Sequence, residues 1–141
     1  MKKKHYAICI SPYYEKITDG LLAGACGYLD AQKASYELFY APGAFEIPLI
    51  AKKLATTKKF RGIICLGCVI QGETAHFDFI CAQAAQGIMT GMLETGIPIS
   101  FGILTVLTEA QAKARSRADK HNKGVEAARA CLETAKVLAC L

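Results

Sequence analysis

Apolar residues along this chain fall into two kinds of stretch: short continuous runs, and longer stretches with helical spacing. Four runs have the length and composition of β-strands: YAICIS, SYELFYA, RGIICLGCVI and GIPISFGILT. The third run is apolar throughout, which is typical of a strand covered on both faces of a sheet. Helical spacing is clearest where Ile17, Leu21, Ala25 and Leu29 recur four residues apart, which predicts a helix from Glu15 to Leu29.

Four further helices are predicted between and after the strands. They cover AFEIPLIAKKLATT, FDFICAQAAQGIMTGMLET, EAQAKARSRA and NKGVEAARACLETAKVLACL. Because strands and helices alternate, the order β-α-β-α-β-α-β-α-α predicts a four-stranded parallel sheet with helices on both faces. The 141 residues contain no repeat or linker, so one domain, 1–141, is expected. Ligands of such sheets bind beyond the carboxyl ends of the strands.

Composition narrows the class of protein. Hydrophobic residues make up 52% of the chain and charged residues 21%, which favours a folded core over disorder. The net charge of +5 is too small to indicate nucleic-acid binding, but it suits an anionic small substrate such as a phosphate ester. No apolar stretch reaches transmembrane length, and no signal-peptide pattern follows the basic start MKKKH. A cytoplasmic protein that binds neither membrane nor nucleic acid is therefore expected.

The seven cysteines are odd in number and scattered through apolar runs, which indicates reduced thiols that serve as small core residues. Cys65 and Cys68 form a C-x-x-C pair, the spacing of some redox and metal sites. The pair lies in GIICLGCVI, which resembles a strand and its exit rather than a redox turn that opens a helix. A structural role is therefore favoured over redox or metal chemistry.

The stretch QGETAHFD links the third strand to the third helix. Gly72 permits a tight turn, Thr74 can cap the helix, and backbone N–H groups at a helix start bind anions. His76 would then lie beside a phosphate, where it can transfer protons. A capping turn with a surface histidine explains the same residues equally well.

Aromatic residues follow the first two strands. In PGAFEIP, Gly43 allows close approach, Phe45 offers a flat face and Glu46 a carboxylate, a combination that can hold a planar heterocycle. A turn, a core phenylalanine and an acidic residue at a helix start are the alternative. Tyr13 and Tyr14 would add a second aromatic surface at the same edge of the sheet.

Basic residues follow the fourth strand. Arg115 suits a bidentate contact to phosphate, although a solvated basic helix face is the usual meaning of a run that also contains Arg117. His5, His76 and His121 are too scattered to predict a metal site.

Together, PGAFEIP, GCVIQGETAHFDFI, IPISFGILT and NKGVEAA make the chain resemble 6,7-dimethyl-8-ribityllumazine synthases, from about residue 7 to residue 137. The resemblance implies a flavodoxin-like three-layer α/β/α sandwich. It also implies condensation of 5-amino-6-(D-ribitylamino)uracil with 3,4-dihydroxy-2-butanone 4-phosphate, without a metal or organic cofactor. That reaction is the penultimate step of riboflavin synthesis, and it releases phosphate and water.

The resemblance also implies roles for individual residues. His76 is the proton-transfer residue, and Glu126 is a polar residue of the site wall. The chain departs from the family at Tyr14, where asparagine is common, and at Gln71, where arginine is frequent. The linker RADKH before NKG also lacks the usual glycine, and Lys120 is displaced by one position from the family's phosphate-side lysine. The implied pyrimidine and ribityl contacts are Tyr13, Ala44, Phe45, Glu46, Cys68, Val69, Ile70, Phe101 and Lys123, and the implied phosphate contacts are Gly72, Glu73, Thr74 and Arg115.

For assembly, the resemblance implies homopentamers with sites between adjacent subunits. Some members build shells of sixty chains, and riboflavin synthase is a further partner to consider; here the stretch before the first strand is short. Two alternatives stay open: a non-catalytic flavin- or lumazine-binding module, and a flavodoxin-like electron carrier. The presence of His76 and Arg115 favours the enzyme, and SPYYEK lacks the Ser/Thr-rich loop of an electron carrier.

Overall fold

The computed structural model describes residues 5–141. Residues 1–4 (MKKK), which carry the basic charge noted at the N-terminus, lie outside the described part. Four parallel strands form one sheet in the order β2-β1-β3-β4, which confirms the predicted architecture. The strands are β1 (His5–Ile10), β2 (Ser35–Tyr40), β3 (Gly62–Ile70) and β4 (Ile99–Val106). β4 begins later than the sequence predicted, after Pro98, which has no backbone N–H to donate to the ladder.

The helices are α1 (Glu15–Ala31), α2 (Ile47–Thr56), α3 (His76–Thr95), α4 (Glu109–Ser116) and α5 (Lys123–Ala139). The stretch predicted as one helix from residue 44 is instead a 3₁₀ turn, Ala44–Glu46, followed by α2. Pro48 lies in the first turn of α2, where its missing N–H leaves no helical hydrogen bond unmade. Among these helices of residues 5–141, none is both long and apolar enough to cross a membrane.

The two faces of the sheet bury different side chains because successive strand residues point to opposite sides. Ile8, Ile64 and Leu66 pack on the face covered by α1, α4 and α5. Cys9 and Ile63 pack on the opposite face, which α2 and α3 cover. β3 lies between two other strands, and both faces of its first seven residues are buried, as its continuous apolar run predicted.

Helices α1 and α5 approach each other so closely that two contact positions admit only glycine. A Cβ atom added to Gly124 would overlap the backbone carbonyl oxygen of Leu21. A Cβ atom added to Gly24 would overlap the side-chain oxygen of Asn122. The glycines therefore fix the distance between α1 and α5 on the first face of the sheet.

Asn122 connects three elements through its buried side chain. Its Oδ1 accepts hydrogen bonds from the backbone N–H groups of Gly124 (2.8 Å) and Val125 (3.1 Å), which caps α5. Its Nδ2 donates to the carbonyl oxygens of Gly20 in α1 (3.1 Å) and Arg117 at the end of α4 (2.9 Å). The side chain is 3% exposed, so water does not replace these partners easily.

We expect Asn122→Ala to lower the free energy of unfolding by about 2–4 kcal/mol, because it leaves the buried N–H of Gly124 without its cap and removes two further hydrogen bonds to α1 and α4. Thr108→Ala is the matched control: it removes the cap of α4, where the cap residue is exposed, and should cost about 1 kcal/mol. Urea denaturation of the two variants measures the difference. Equal losses of unfolding free energy in the two variants would show that the hydrogen bonds of Asn122 to α1 and α4 add no stability beyond that of its helix cap.

Candidate active site

A cleft of about 630 Å³ opens at the carboxyl ends of β1, β2 and β3. The chain leaves β1 toward β2 on one side and leaves β3 toward β4 on the other, so the cleft lies where the strand order reverses. Its volume is within the range of small-molecule sites. It is lined by Tyr13, Tyr14, Gly43, Ala44, Phe45, Glu46, Cys68, Val69, Ile70, His76, Phe79 and Ile80.

The walls of this cleft carry exposed aromatic rings. Tyr13 is 74% exposed, Phe79 67% and Phe45 54%. The ring of Tyr13 meets the edge of Tyr14 at 5.0 Å between centroids, with an angle of 86° between their planes. Exposed rings that line one concave surface indicate a site for a ligand with flat or apolar parts.

The segment after β2 holds a carboxylate close to the backbone. The backbone N–H of Glu46 donates to the carbonyl oxygen of Gly43 at 3.2 Å, which closes the 3₁₀ turn. A Cβ atom at Gly43 would stand 3.0 Å from Glu46 Oε1. Gly43 is extended (φ −157°), a conformation open to any residue, and a side chain there would require only a small shift of the Glu46 carboxylate.

Cys68, Val69 and Ile70 end β3 and form the floor of the cleft. Burial raises the pKa of the Cys68 thiol to about 11, so the thiol is neutral at pH 7. Cys68 packs on the α1/α4/α5 face, whereas Cys65 packs on the α2/α3 face. The two thiols of the C-x-x-C pair therefore point away from each other and cannot form a disulfide in this fold.

Gly72, Glu73 and Thr74 form the exposed turn between β3 and α3, and His76 is the first residue of the helix. The Thr74 hydroxyl accepts a hydrogen bond from the backbone N–H of His76 at 3.3 Å. Thr74 was expected to cap α3, but the cap position belongs to Ala75, which makes no side-chain cap bond. The N–H groups of His76 and Asp78 have acceptors within the chain, at Thr74 Oγ1 and the Ala75 carbonyl, so among the first three residues of α3 the Phe77 N–H is the one left to meet an anion.

Gly72 was expected to permit a tight turn, but the turn does not require glycine there. Its φ is not positive, so the turn does not depend on glycine's conformational freedom. A Cβ atom added at Gly72 would meet nothing within 4 Å. Any need for glycine at this position must come from something outside this chain's own contacts, such as a ligand or a neighbouring subunit.

The remaining predicted site residues lie around a second, smaller cavity of about 190 Å³ beside β4. Phe101, Arg115 and Lys123 line it, together with β4 backbone. Arg115 Nη1 donates to the carbonyl oxygen of Gln111 at 3.0 Å, and Lys123 Nζ lies 3.0 Å from Glu126 Oε1. None of these residues lines the first cleft, so one chain presents the predicted site as two separate groups.

Phe79 and Ile80 line the cleft but were not predicted from the sequence. A signal was present, because residues three and four positions after His76 share its face of a helix.

The described residues 5–141 contain no group of three or more His, Cys, Asp or Glu side chains able to hold a metal ion.

This chain is similar to known proteins over nearly its whole length. The family model described as 6,7-dimethyl-8-ribityllumazine synthase matches residues 3–139. The chain is 53% identical to 6,7-dimethyl-8-ribityllumazine synthase 1 of Caulobacter vibrioides over 135 residues, which cover 94% of this chain and 88% of the relative. It is also similar to proteins named 6,7-dimethyl-8-ribityllumazine synthase from Nitratidesulfovibrio vulgaris (45% identical, 94% and 87% covered) and Desulfovibrio desulfuricans (43%, 94% and 86%).

The floor of the cleft yields a test of thiol chemistry. We expect iodoacetamide at pH 8 to alkylate the exposed Cys140 well before Cys68, because only a thiolate reacts and Cys68 holds its proton up to about pH 11. Labelling of Cys68 should rise about tenfold per pH unit between pH 8 and 10. Peptide mass spectrometry measures both sites. Equal rates at pH 8 would indicate an activated thiol in the cleft.

Proposed function

We propose that this chain, which belongs to the 6,7-dimethyl-8-ribityllumazine synthase family, binds its pyrimidine substrate in the cleft beyond β1, β2 and β3. The chain is a transferase of riboflavin biosynthesis. It condenses 5-amino-6-(D-ribitylamino)uracil with 3,4-dihydroxy-2-butanone 4-phosphate to give 6,7-dimethyl-8-ribityllumazine, phosphate and water. The observation that carries the assignment of the cleft is its position at the strand-order switch, with aromatic rings, a carboxylate and His76 on one concave surface.

The pyrimidine half of the site follows from the chemistry of the cleft walls. Tyr13 stacks on the heterocycle, since its exposed ring offers a flat face. The segment Ala44, Phe45 and Glu46 binds the ribityl chain. The Glu46 carboxylate can accept hydrogen bonds from the hydroxyl groups of that chain. Backbone groups of Cys68, Val69 and Ile70 read the edge of the pyrimidine at the end of β3. Phe101 and Lys123 complete the pyrimidine contacts from the second cavity.

The phosphate half combines a backbone turn with a cation. Gly72, Glu73 and Thr74 present backbone N–H groups at the start of α3 to the phosphate oxygens. Arg115 supplies the charge, because guanidinium binds phosphate through paired hydrogen bonds. His76 is the first residue of α3, two positions after Thr74, and it lines the cleft. It transfers protons between the reacting atoms.

The proposed mechanism is mainly the assembly of two reactants. The amine of the pyrimidine attacks the ketone and forms an imine with loss of water. Phosphate then leaves, the resulting enol becomes a ketone, and the second nitrogen attacks that ketone to close the ring with loss of a second water. Orientation contributes up to ~7–11 kcal/mol in well-aligned systems, whereas proton transfer by a side chain adds ~10²–10⁴-fold.

We further propose that the complete site forms between adjacent chains of a homopentamer. The family association implies a homo-oligomer. Support for a shared site comes from the separation of the two groups, because Arg115 lies at one cavity and His76 at another. β4 is an edge strand, Phe101 on it is 42% exposed, and an apolar cavity of about 330 Å³ adjoins it. These features suit a surface that a neighbouring chain covers.

We also propose a domain organisation and a cellular compartment for this protein. Residues 1–141 form one lumazine synthase domain, and the protein is cytoplasmic. The cytoplasmic assignment is supported by seven free cysteines, four of them buried, which suit a reducing compartment. A shell of sixty chains and a complex with riboflavin synthase rest on the family resemblance alone.

The experiment that tests the function is direct. The purified protein is mixed with both substrates, and formation of the fluorescent lumazine is followed over time. Turnover supports the enzyme. Binding of the lumazine without turnover would favour a non-catalytic binding module built on the same fold.

For Arg115→Ala we expect KM for the butanone phosphate to rise about 10- to 100-fold, the value of lost charged hydrogen bonds, while pyrimidine binding changes little. Arg117→Ala is the matched control: Arg117 follows α4, is exposed and lies 3.7 Å from Asp119 Oδ2. Steady-state kinetics with each substrate varied in turn gives both constants. Loss of pyrimidine affinity in the Arg115 variant would contradict its assignment to phosphate.

The same variant tests the shared site. At a butanone phosphate concentration far below the raised KM of Arg115→Ala, where that variant turns over slowly, its chains are mixed with impaired Tyr13→Ala chains under conditions that exchange subunits. Activity should partly return, because some interfaces then contain both intact residues. No recovery in mixed oligomers verified by mass spectrometry would mean that a single chain supplies both residues.

For His76→Ala we expect normal folding and substrate binding, with kcat lowered about 10²-fold, the lower end of general acid–base contributions. Folding should be preserved because the bond from residue 76 to Thr74 uses the backbone N–H. His121→Ala, in the exposed loop before α5, is the control. Chelators should leave the native enzyme unchanged. An unaltered kcat in the His76 variant would show that orientation alone suffices.

A further inference from the structure

Tyr14 differs from the other aromatic residues of the cleft because its main chain and ring are both held in place. Its carbonyl oxygen accepts two hydrogen bonds from the fully buried Thr18, from the backbone N–H at 2.9 Å and from Oγ1 at 3.2 Å. Its ring packs against the core cluster on the α1/α4/α5 face. Burial accordingly raises the pKa of the Tyr14 phenol. Tyr14 is thus part of the rigid body and also lines the cleft.

Tyr13, by contrast, is 74% exposed and lies in the four-residue loop, residues 11–14, between β1 and α1. Its ring stands almost perpendicular to the ring of Tyr14, with 5.0 Å between centroids. This edge-to-face geometry is a favoured arrangement of aromatic pairs. An exposed tyrosine without such a contact samples several rotamers and must lose that freedom when it binds a ligand.

We propose that Tyr14 is a positioning residue that holds the ring of Tyr13 in the orientation in which it stacks on the pyrimidine substrate. The inference rests on the proposed function of the cleft and goes beyond it, because it gives a role to a residue that need not touch the substrate. Tyr14 acts on the pyrimidine half alone, since Arg115 lies at the other cavity of the same chain.

Two substitutions separate the possible contributions of Tyr14. Tyr14→Phe keeps the ring edge and removes the hydroxyl. Tyr14→Leu keeps apolar volume against the core and removes the aromatic edge. We expect Tyr14→Leu to raise KM for the pyrimidine substrate roughly 2- to 10-fold, the value of an aromatic pair, with KM for the butanone phosphate unchanged. Tyr14→Phe should retain the native values. An equal rise in both variants would overturn the proposal, because it would assign the effect to the hydroxyl.

A double-mutant cycle tests whether Tyr14 acts through Tyr13. The dissociation constant of 6,7-dimethyl-8-ribityllumazine is measured by its fluorescence for the native protein, Tyr14→Leu, Tyr13→Ala and the double variant. Once Tyr13 is absent, Tyr14→Leu should weaken binding no further. Independent losses that multiply in the double variant would show that Tyr14 contacts the ligand itself, and would overturn the positioning role.

Thermal unfolding of each variant accompanies these measurements. If Tyr14→Leu does not fold, Tyr14→Met replaces it, because methionine fills irregular apolar space and lacks a ring edge. Failure of the proposed function would look different: the native protein would neither form nor bind the lumazine. A native protein that is active, with Tyr14→Leu and Tyr14→Phe both indistinguishable from it, would overturn the proposal for Tyr14 alone.

Discussion

The buried side chain of Asn122 ties α1, which follows Tyr13 of the cleft, to α4, which carries Arg115 of the second cavity. Its amide joins the start of α5 to the middle of α1 and to the end of α4. The loop that carries Tyr13 leads directly into α1, and Arg115 lies in the last turn of α4. Four hydrogen bonds to one amide side chain thus connect the helix next to Tyr13 with the helices that carry Arg115 and Lys123. Gly24 is required beside it because any Cβ atom there would displace the amide.

A fixed relation between the two groups matters if adjacent chains share a site, as we propose. Each chain then presents the cleft with His76 on one side and the cavity with Arg115 on another, and every interface joins unlike surfaces. Heterologous interfaces close into a ring only when the angle between the two surfaces is constant. The pairing of β3 with β4, together with the connection of α1, α4 and α5 through Asn122, would keep this angle the same in every subunit. Catalytic geometry and assembly would therefore share one structural cause.

The sequence predicted the order of elements and the parallel sheet because alternating apolar runs and helical spacing are strong local signals. It did not predict the split of residues 44–56 into a 3₁₀ turn and α2, which depends on backbone geometry at Glu46. Nor did it predict two cavities. The rule that ligands bind at strand ends placed Arg115 and His76 on the same edge of the sheet. Their separation follows from the lateral strand order, with β4 at the edge, which sequence spacing does not encode.

The opposite directions of the Cys65 and Cys68 side chains could have been predicted from the sequence, because residues three apart in a strand point to opposite faces of the sheet.

The chemistry proposed for the cleft also explains why its floor is uncharged. Imine formation and ring closure proceed through electrophilic carbonyl groups, which a thiolate would attack in competition with the substrate's nitrogens. Burial among apolar side chains keeps Cys68 protonated, so the floor offers backbone groups and an inert thiol. In the proposed reaction His76 transfers the protons, and its exposed place on the first turn of α3 lets solvent reach it. A floor of neutral groups suits a reaction driven mainly by orientation, because it does not compete with the substrate's own nucleophiles.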